Sequence, residues 1–455
     1  MASQSAIGVI SSNTTWTNAE GPYELTGPVA VGSGATLTIE AGTTINLNSY
    51  YIQVNGTLIA RGTSTNLINF NGGAITFTST STSWNEQTAL GSIIENTQFY
   101  PTTDEYGNTR STNIITIEGV SPKITSNFNV TVIVKGGSPI ISHNKFISIQ
   151  INAGSPQILN NEIDGVQVYG GSPLISSNKI RSGITSSRYP DIRDISVIIW
   201  NNDISYPGRQ DSAVINLALN GKAIISNNKI TGLETPQTRD LLGRTNGPYY
   251  TLYGIRIAAG DALISNNIIT GCTEASIQVL SWSGTNVIIQ SNTINSKGII
   301  IADQVYAKIN YNNIEGGIFL SPLAAKDIDA TNNWWGTTDQ TAISNLIHDN
   351  KNDFNLGTVS FKPFLTQSNA QAVPDPNAPM PTLNPSSSPL PTPASTTSPS
   401  ETTPSQNPTA TPPQSGTETS QSFNWIEIGI FALLAVITVL LTAILVNMRR
   451  KQGSK

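Results

Sequence analysis

Residues 138–154 read SPIISHNKFISIQINAG, residues 155–171 read SPQILNNEIDGVQVYGG, and residues 172–181 read SPLISSNKIR. The same sentence is written three times at a period of 17 residues. A fixed short period is the mark of a solenoid, in which each coil buries its apolar side only when a neighbour stacks on it. Period-2 alternation sends Ile141, Phe146, Ile149 and Ile151 inward in one coil, and Ile158, Ile163, Val166 and Val168 inward in the next.

Outward from this stretch the repeat is tracked by I-x-x-N-x-I, with its asparagine at Asn127, Asn144, Asn161, Asn178, Asn202, Asn228, Asn267, Asn292 and Asn312. A degenerate copy carries Thr97. Spacings of 17, 17, 17, 24, 26, 39, 25 and 20 separate these asparagines, so a minimal coil carries insertions in its later copies. An amide both donates and accepts, and can bond its equivalent one coil above and below, so a structural asparagine ladder is expected. Asparagine also tolerates the left-handed corner that a coil needs.

Upstream, VAVGSGATLTIEAGTTINL (29–47) and YIQVNGTLIARGT (51–63) alternate apolar and polar residues between glycines and asparagines, the writing of short strands and tight turns. Downstream, NNWWGTTD (332–339) precedes an amphipathic stretch with Ala342, Ile343, Leu346 and Ile347 at helical spacing and Thr338 or Asp339 as its start. We read Asn333, Trp334, Trp335 and Gly336 as a cap over the last coil, because an open solenoid end exposes unpaired strand edges.

These coils, the opening GSGATLTIEAGTTINL and the closing NNWWGTTD resemble the right-handed parallel β-helix proteins of microbial cell surfaces, over residues 21–365. The resemblance implies an all-β, right-handed, single-stranded parallel β-helix with a C-terminal cap. It leaves activity open, since that group includes polysaccharide lyases and hydrolases, adhesins, surface-layer components and periplasmic proteins that assist copper-enzyme maturation.

The expected organisation is an N-terminal segment (1–20), the β-helix ectodomain (21–365), a Pro/Ser/Thr-rich stalk (366–422), a transmembrane helix (423–447) and a basic cytoplasmic tail (448–455). Thirteen of the 26 prolines fall in the stalk, whose composition cannot form a core. In polyproline II form it would reach on the order of 100 Å or more. Residues 428–446 hold no charge, and as a helix they would span roughly 28 Å, close to a bilayer core. The following MRRKQGSK places the C-terminus in the cytoplasm and the coils outside. The N-terminus shows neither a basic nor an apolar signal region, so no signal peptide is visible. Asn13, Asn55 and Asn129 lie in glycosylation sequons.

Only 12% of residues are charged, and the net charge of −5 includes +4 from the tail, so no nucleic-acid partner is expected. The one cysteine, Cys272, reads as a small buried residue. Two distant histidines, His143 and His348, and no methionine among the repeats leave nothing to build a transition-metal site from, and no cofactor is expected.

Chemistry is sought in the insertions after Phe99, Ile180, Ile204 and Ile230, all read as leaving one corner of the coil. The first is residues 100–110; the later group, residues 181–190, 205–213 and 231–253, carries Tyr189, Tyr206, Arg209, Asp211, Arg244, Tyr249, Tyr250 and Tyr253, with Arg188, Arg239 and Asp240. Aromatic faces beside fork-shaped donors and carboxylates suit a sugar chain or a partner surface; equally, the tyrosines can pin their own loops. In the hydrolases and lyases that the resemblance brings in, the chemistry rests on paired carboxylates, or on Ca²⁺ held by Asp clusters beside Arg or Lys, projecting from one strand face. The outward column aligns as Ile133, Gln150, Gln167, Arg256, Gln278, Ile300 and Phe319, without a carboxylate. Asp191 and Asp194 beside Arg193 read as a turn with a local ion pair. The function expected is non-catalytic adhesion, glycan binding or envelope structure at a cell surface; the alternative is a polysaccharide lyase or glycoside hydrolase.

Overall fold

A computed structural model describes residues 3–103, 109–111, 113–186, 194–206, 213–233, 238–239, 245–246, 250–280, 285–295, 297–302 and 304–383. The stretch read as a transmembrane helix, the tail and the stalk beyond residue 383 lie outside them. Among the described residues no helix is long and apolar enough to cross a membrane.

The repeat folds as a stack of parallel strands, 37 of which join in one continuous hydrogen-bonded system. Each coil has three short strands. In the coil that opens the repeat these are Ile140–Ser142, then Lys145–Ile151, which bends to supply two sides. We call face one the side holding Ser148–Ile151, face two the side holding Ile140–Ser142, and face three the side holding Lys145 and Ile147. The two copies of the repeat are in register: Ile141 pairs with Ile158, Ile149 with Val166 and Ile151 with Val168.

The apolar core runs unbroken along the inside, from Trp16 and Tyr23, stacked at 4.8 Å, to Trp335. Alternation placed seven of the eight inward residues correctly, but Phe146 faces out, 45% exposed, and Ile147 is buried in its place. Phe146 takes φ of 54°, and this left-handed bulge turns the next residue inward. The displaced ring lies under the Arg181 guanidinium at 5.0 Å.

The asparagine ladder is continuous. Asn127, Asn144, Asn161, Asn178, Asn202, Asn228, Asn267, Asn292 and Asn312 each give their backbone N–H and their side-chain NH₂ to the Oδ1 of the next rung, at 2.8–3.0 Å. The last acceptor is Asn333, so this residue is the terminal rung as well as part of the cap. Thr97 opens the ladder, its hydroxyl donating to Asn127 Oδ1 at 2.8 Å.

The rung asparagines do not occupy the left-handed corner. That conformation falls on the residue before each, among them Ser126, His143, Asn160, Ser177, Asn201, Asn227, Asn266, Ser291, Tyr311 and Asn332, with φ between 53° and 64°. The corner residue turns the chain so that the following amide points inward, which is why histidine and tyrosine are admitted there.

The residues just after the rungs form a second column, whose sign alternates coil by coil through Lys145, Glu162, Lys179, Asp203 and Lys229. Opposite charges directly across neighbouring strands stabilise a pairing, and like charges would oppose it. Lys145 and Glu162 lie 3.8 Å apart. Beyond Lys229 the column loses its charge, passing to Ile268, Thr293 and Asn313.

At the C-terminal end Trp335 is buried and Trp334 half-buried, with Trp334 paired to the strand of Asn313. Asp339 caps the helix Gln340–Asn345, accepting from Thr341 N–H at 2.8 Å. The helix is shorter than its apolar spacing suggests, because Ile347–His348 leaves it to become the last strand of face one.

Candidate functional site

Face one gathers the outward column. Its register runs Val9, Ala30, Gln53, Thr76, Thr116, Ile133, Gln150 and Gln167. It continues through Thr185, Asn216, Arg256, Gln278, Ile300, Phe319 and His348. The seven residues aligned from sequence are all in it, and Thr185 and Asn216 fill the gap between Gln167 and Arg256. None of these fifteen residues is a carboxylate.

The strands that bound the insertions end at both edges of this face. Residues 207–212 and 234–249 leave the chain between a face-three strand and a face-one strand, as the sequence suggests. The segment after Ile180 does not. After Ile180 the chain runs directly into Ile184–Ser186, a complete face-one rung that pairs with Val166–Val168, and the insertion departs from the opposite edge, before Val197–Trp200. Residues 281–284 leave at that same opposite edge, between Ala275–Val279 and Asn286–Gln290. Thr185, Asn216, Arg256 and Gln278 therefore form a floor of four successive rungs between these two edges.

Of the tyrosines named from sequence, Tyr206, Tyr250 and Tyr253 are described, and all three come to one edge of this floor. The Tyr206 ring lies over Gly183, where an added Cβ would meet its Cδ2 at 3.1 Å. The Thr251 hydroxyl donates to Tyr206 O at 3.0 Å, which brings Tyr250, 44% exposed, beside it. The Tyr253 ring carries the Arg256 guanidinium at 5.5 Å. Tyr189, Arg209, Asp211, Arg244 and Tyr249 lie outside the described residues, as do Asp191 and Arg193. Asp194 accepts from Asn220 Nδ2 at 3.0 Å, a bond to the next coil rather than within its own turn.

Arg256 and Gln278 face each other across adjacent rungs, yet Arg256 Nε and Gln278 Oε1 are both buried without a hydrogen-bond partner. Gln278 as a whole is only 9% exposed. A buried polar atom left unpaired costs roughly 1–3 kcal/mol, so two on neighbouring rungs are an unusual expense for a scaffold. The sequence placed both residues in the column but carries no sign that these two atoms are buried and unpaired.

Upstream the same face is an open groove lined by the hydroxyls and amides of Thr131, Ser148, Gln150, Gln167, Ser182 and Thr185, by the Asp164 carboxylate, and by Ile149, Gly165 and Val166. Downstream the column turns apolar and aromatic, with Phe319 stacked on His348 at 4.7 Å and 10°. Cys272 is buried near the covered stretch, and burial pushes its thiol up to about 12, which removes it as a nucleophile. Among the described residues no group of three His, Cys, Asp or Glu side chains is placed to hold a metal ion.

No known protein family, curated protein or solved structure matches the chain.

Proposed function

We propose that the chain is a right-handed β-helix displayed at a cell surface on a Pro/Ser/Thr stalk and a C-terminal membrane anchor, and that it binds a hydroxyl-rich glycan strand along face one without cleaving it. The observation that carries this reading is the unpaired couple Arg256 Nε and Gln278 Oε1. A sugar hydroxyl both donates and accepts, so the hydroxyls of a sugar chain can answer a stranded donor and a stranded acceptor alike. The amide and hydroxyl groove from Thr131 to Thr185 extends the same chemistry over several coils, and Tyr250 and Tyr253 supply aromatic surface at the edge. Glycoside hydrolysis uses two carboxylates, and the described lining holds only Asp164, which favours binding over hydrolysis.

The test is a screen of neutral and acidic polysaccharides against the full chain and its Arg256→Ala and Gln278→Ala variants, with the supernatants analysed for new reducing or unsaturated ends. Binding by the parent that is lost in both variants, with no new ends, supports the reading. New ends would establish the lyase or hydrolase alternative. Binding that survives both substitutions, or a parent that binds no member of the panel, would overturn it.

A further inference from the structure

Residues 366–375 open the stretch whose composition reads as stalk, yet they are fastened to the side of the solenoid. The chain leaves the last rung, where Leu365 N–H donates to Asn333 O at 2.9 Å, and then retraces the stack toward the N-terminus. Asn313 grips the Asn369 peptide unit at both ends, its Oδ1 accepting from Asn369 N–H at 2.7 Å and its Nδ2 donating to Asn369 O at 2.9 Å. Asn266 Nδ2 donates to Gln371 O at 3.1 Å, and the Thr293 hydroxyl donates to Ala372 O. Ala372 is fully buried. Asn227 then repeats the double grip on Asp375, accepting from its N–H at 2.7 Å and donating to its carbonyl.

Nearly every bond is made to the strap's backbone by side chains of the coils, which is how an extended peptide is held without regard to its sequence. The footprint matches a feature of the coils themselves. It covers the rungs where the column after the asparagine ladder is uncharged, Ile268, Thr293 and Asn313, and it ends at the coil where that column becomes Lys229. Charged heads keep their water, whereas these three positions can be covered at little cost.

We propose that this corner is a docking groove for peptide backbone whose occupant is the chain's own tether, and that the tether acts as a latch. While it is closed, a pull on the C-terminus enters the solenoid at the coil of Asn227, four rungs before the end, and the cap and last coils stay unloaded. The bonds lie one after another along the strap, so a pull directed past the capped end falls first on the double grip at Asp375, and once that gives way the rest open in one run. Release lengthens the molecule before any coil unfolds. The load point moves by four coil steps of about 4.8 Å each, and the ten freed residues add at most about 33–36 Å, for a total on the order of 50 Å.

The experiment is single-molecule pulling of the full chain between its two termini, comparing the parent with an Asn227→Gly/Asn313→Ala variant, whose glycine keeps the left-handed corner of the coil, and, separately, with Ala372→Trp. The latter cannot seat its ring under the strap and alters no coil. The latch predicts a discrete lengthening of about 50 Å in the parent below the force at which coils rupture, and its loss or a marked drop in its force in both variants, with coil rupture unchanged. A parent that shows no step ahead of coil rupture, or variants that keep the step at the parent's force, would overturn the proposal.

Discussion

The side-chain oxygen of Asn178 accepts two hydrogen bonds from Asn161, one from its backbone N–H and one from its Nδ2, both at 2.9 Å. This one-to-two contact recurs from rung to rung, and it ties the fold's longest polar network to its core. Asn161 Nδ2 also donates to Ile141 O and Leu159 O, while Asn161 Oδ1 takes the N–H and Nδ2 of Asn144. Replacing Asn161 by Leu leaves Asn144 N–H buried without a partner and removes the side-chain bonds to Asn144, Asn178, Ile141 and Leu159, and should cost roughly 2–5 kcal/mol in denaturant unfolding. A loss under 1 kcal/mol would mean that the ladder is incidental.

Asn161→Asp tests the same site through pH. The acceptor edge of the side chain survives, but its other oxygen would face Ile141 O, Leu159 O and Asn178 Oδ1, all acceptors. Only the protonated acid can donate there, so burial and these neighbours raise the folded pKa above the unfolded value of about 3.9. The variant should therefore be least compromised below about pH 4 and lose stability relative to the parent as pH rises from there. Thermal melts of the two proteins between pH 3 and pH 7 would check the sign; a gap that narrows with rising pH contradicts it.

The stacked glycines give a comparison within one molecule. Gly154 has φ of 89°, and a Cβ there would meet Gly137 O at 2.3 Å, whereas Gly34, with φ of 79°, has nothing within 4 Å of the same atom. Gly34→Ala should cost only the left-handed backbone penalty of about 1–2 kcal/mol. Gly154→Ala must also push apart two coils, and should cost roughly 3 kcal/mol or more. Equal losses for the two would show that the coils separate freely at this corner.

What the sequence made legible was whatever repeats. The recurring I-x-x-N-x-I located the ladder, and the ladder located the outward column from Ile133 to Phe319 apart from Thr185 and Asn216. Two things escaped for local reasons. Phe146 obeys the same spacing as Ile163, but a left-handed bulge at Phe146 passes the core position to Ile147. The insertion after Ile180 was assigned to the wrong edge because Gly183, Ile184 and Thr185 lack the alternation of their neighbours, while their pairing with Val166 and Gln167 is a property of the stack. The strap was illegible for a different reason. Its composition is that of a coil-former, and what holds it is the amides of Asn227, Asn266 and Asn313, far upstream in the chain.

Cys272 should be chemically silent in the folded protein. Burial pushes its thiol up to about 12, so at pH 8 only about one molecule in ten thousand carries the reactive thiolate. The thiol reagent titration expected at pH 8 is a flat baseline in buffer and one full equivalent in denaturant. Prompt reaction of the native protein would mean that the edge of face one near Gly254, whose added Cβ would lie 3.2 Å from the sulfur, opens readily.

The unpaired couple on face one separates a binding surface from a scaffold by opposing effects on stability and affinity. Gln278→Met keeps the length of the side chain and removes Oε1, which is buried with no partner. If that oxygen is held for a ligand, removing it relieves a desolvation cost, and the variant should gain about 1 kcal/mol, seen as a melting temperature a few degrees higher. The same substitution should weaken glycan binding at least tenfold, since a ligand hydroxyl would then be buried against a thioether. Measured on one preparation by thermal melting and by equilibrium binding, the two changes must run in opposite directions. A variant that is less stable than the parent would show that Gln278 Oε1 already serves the fold, and the site would have to be sought elsewhere on face one.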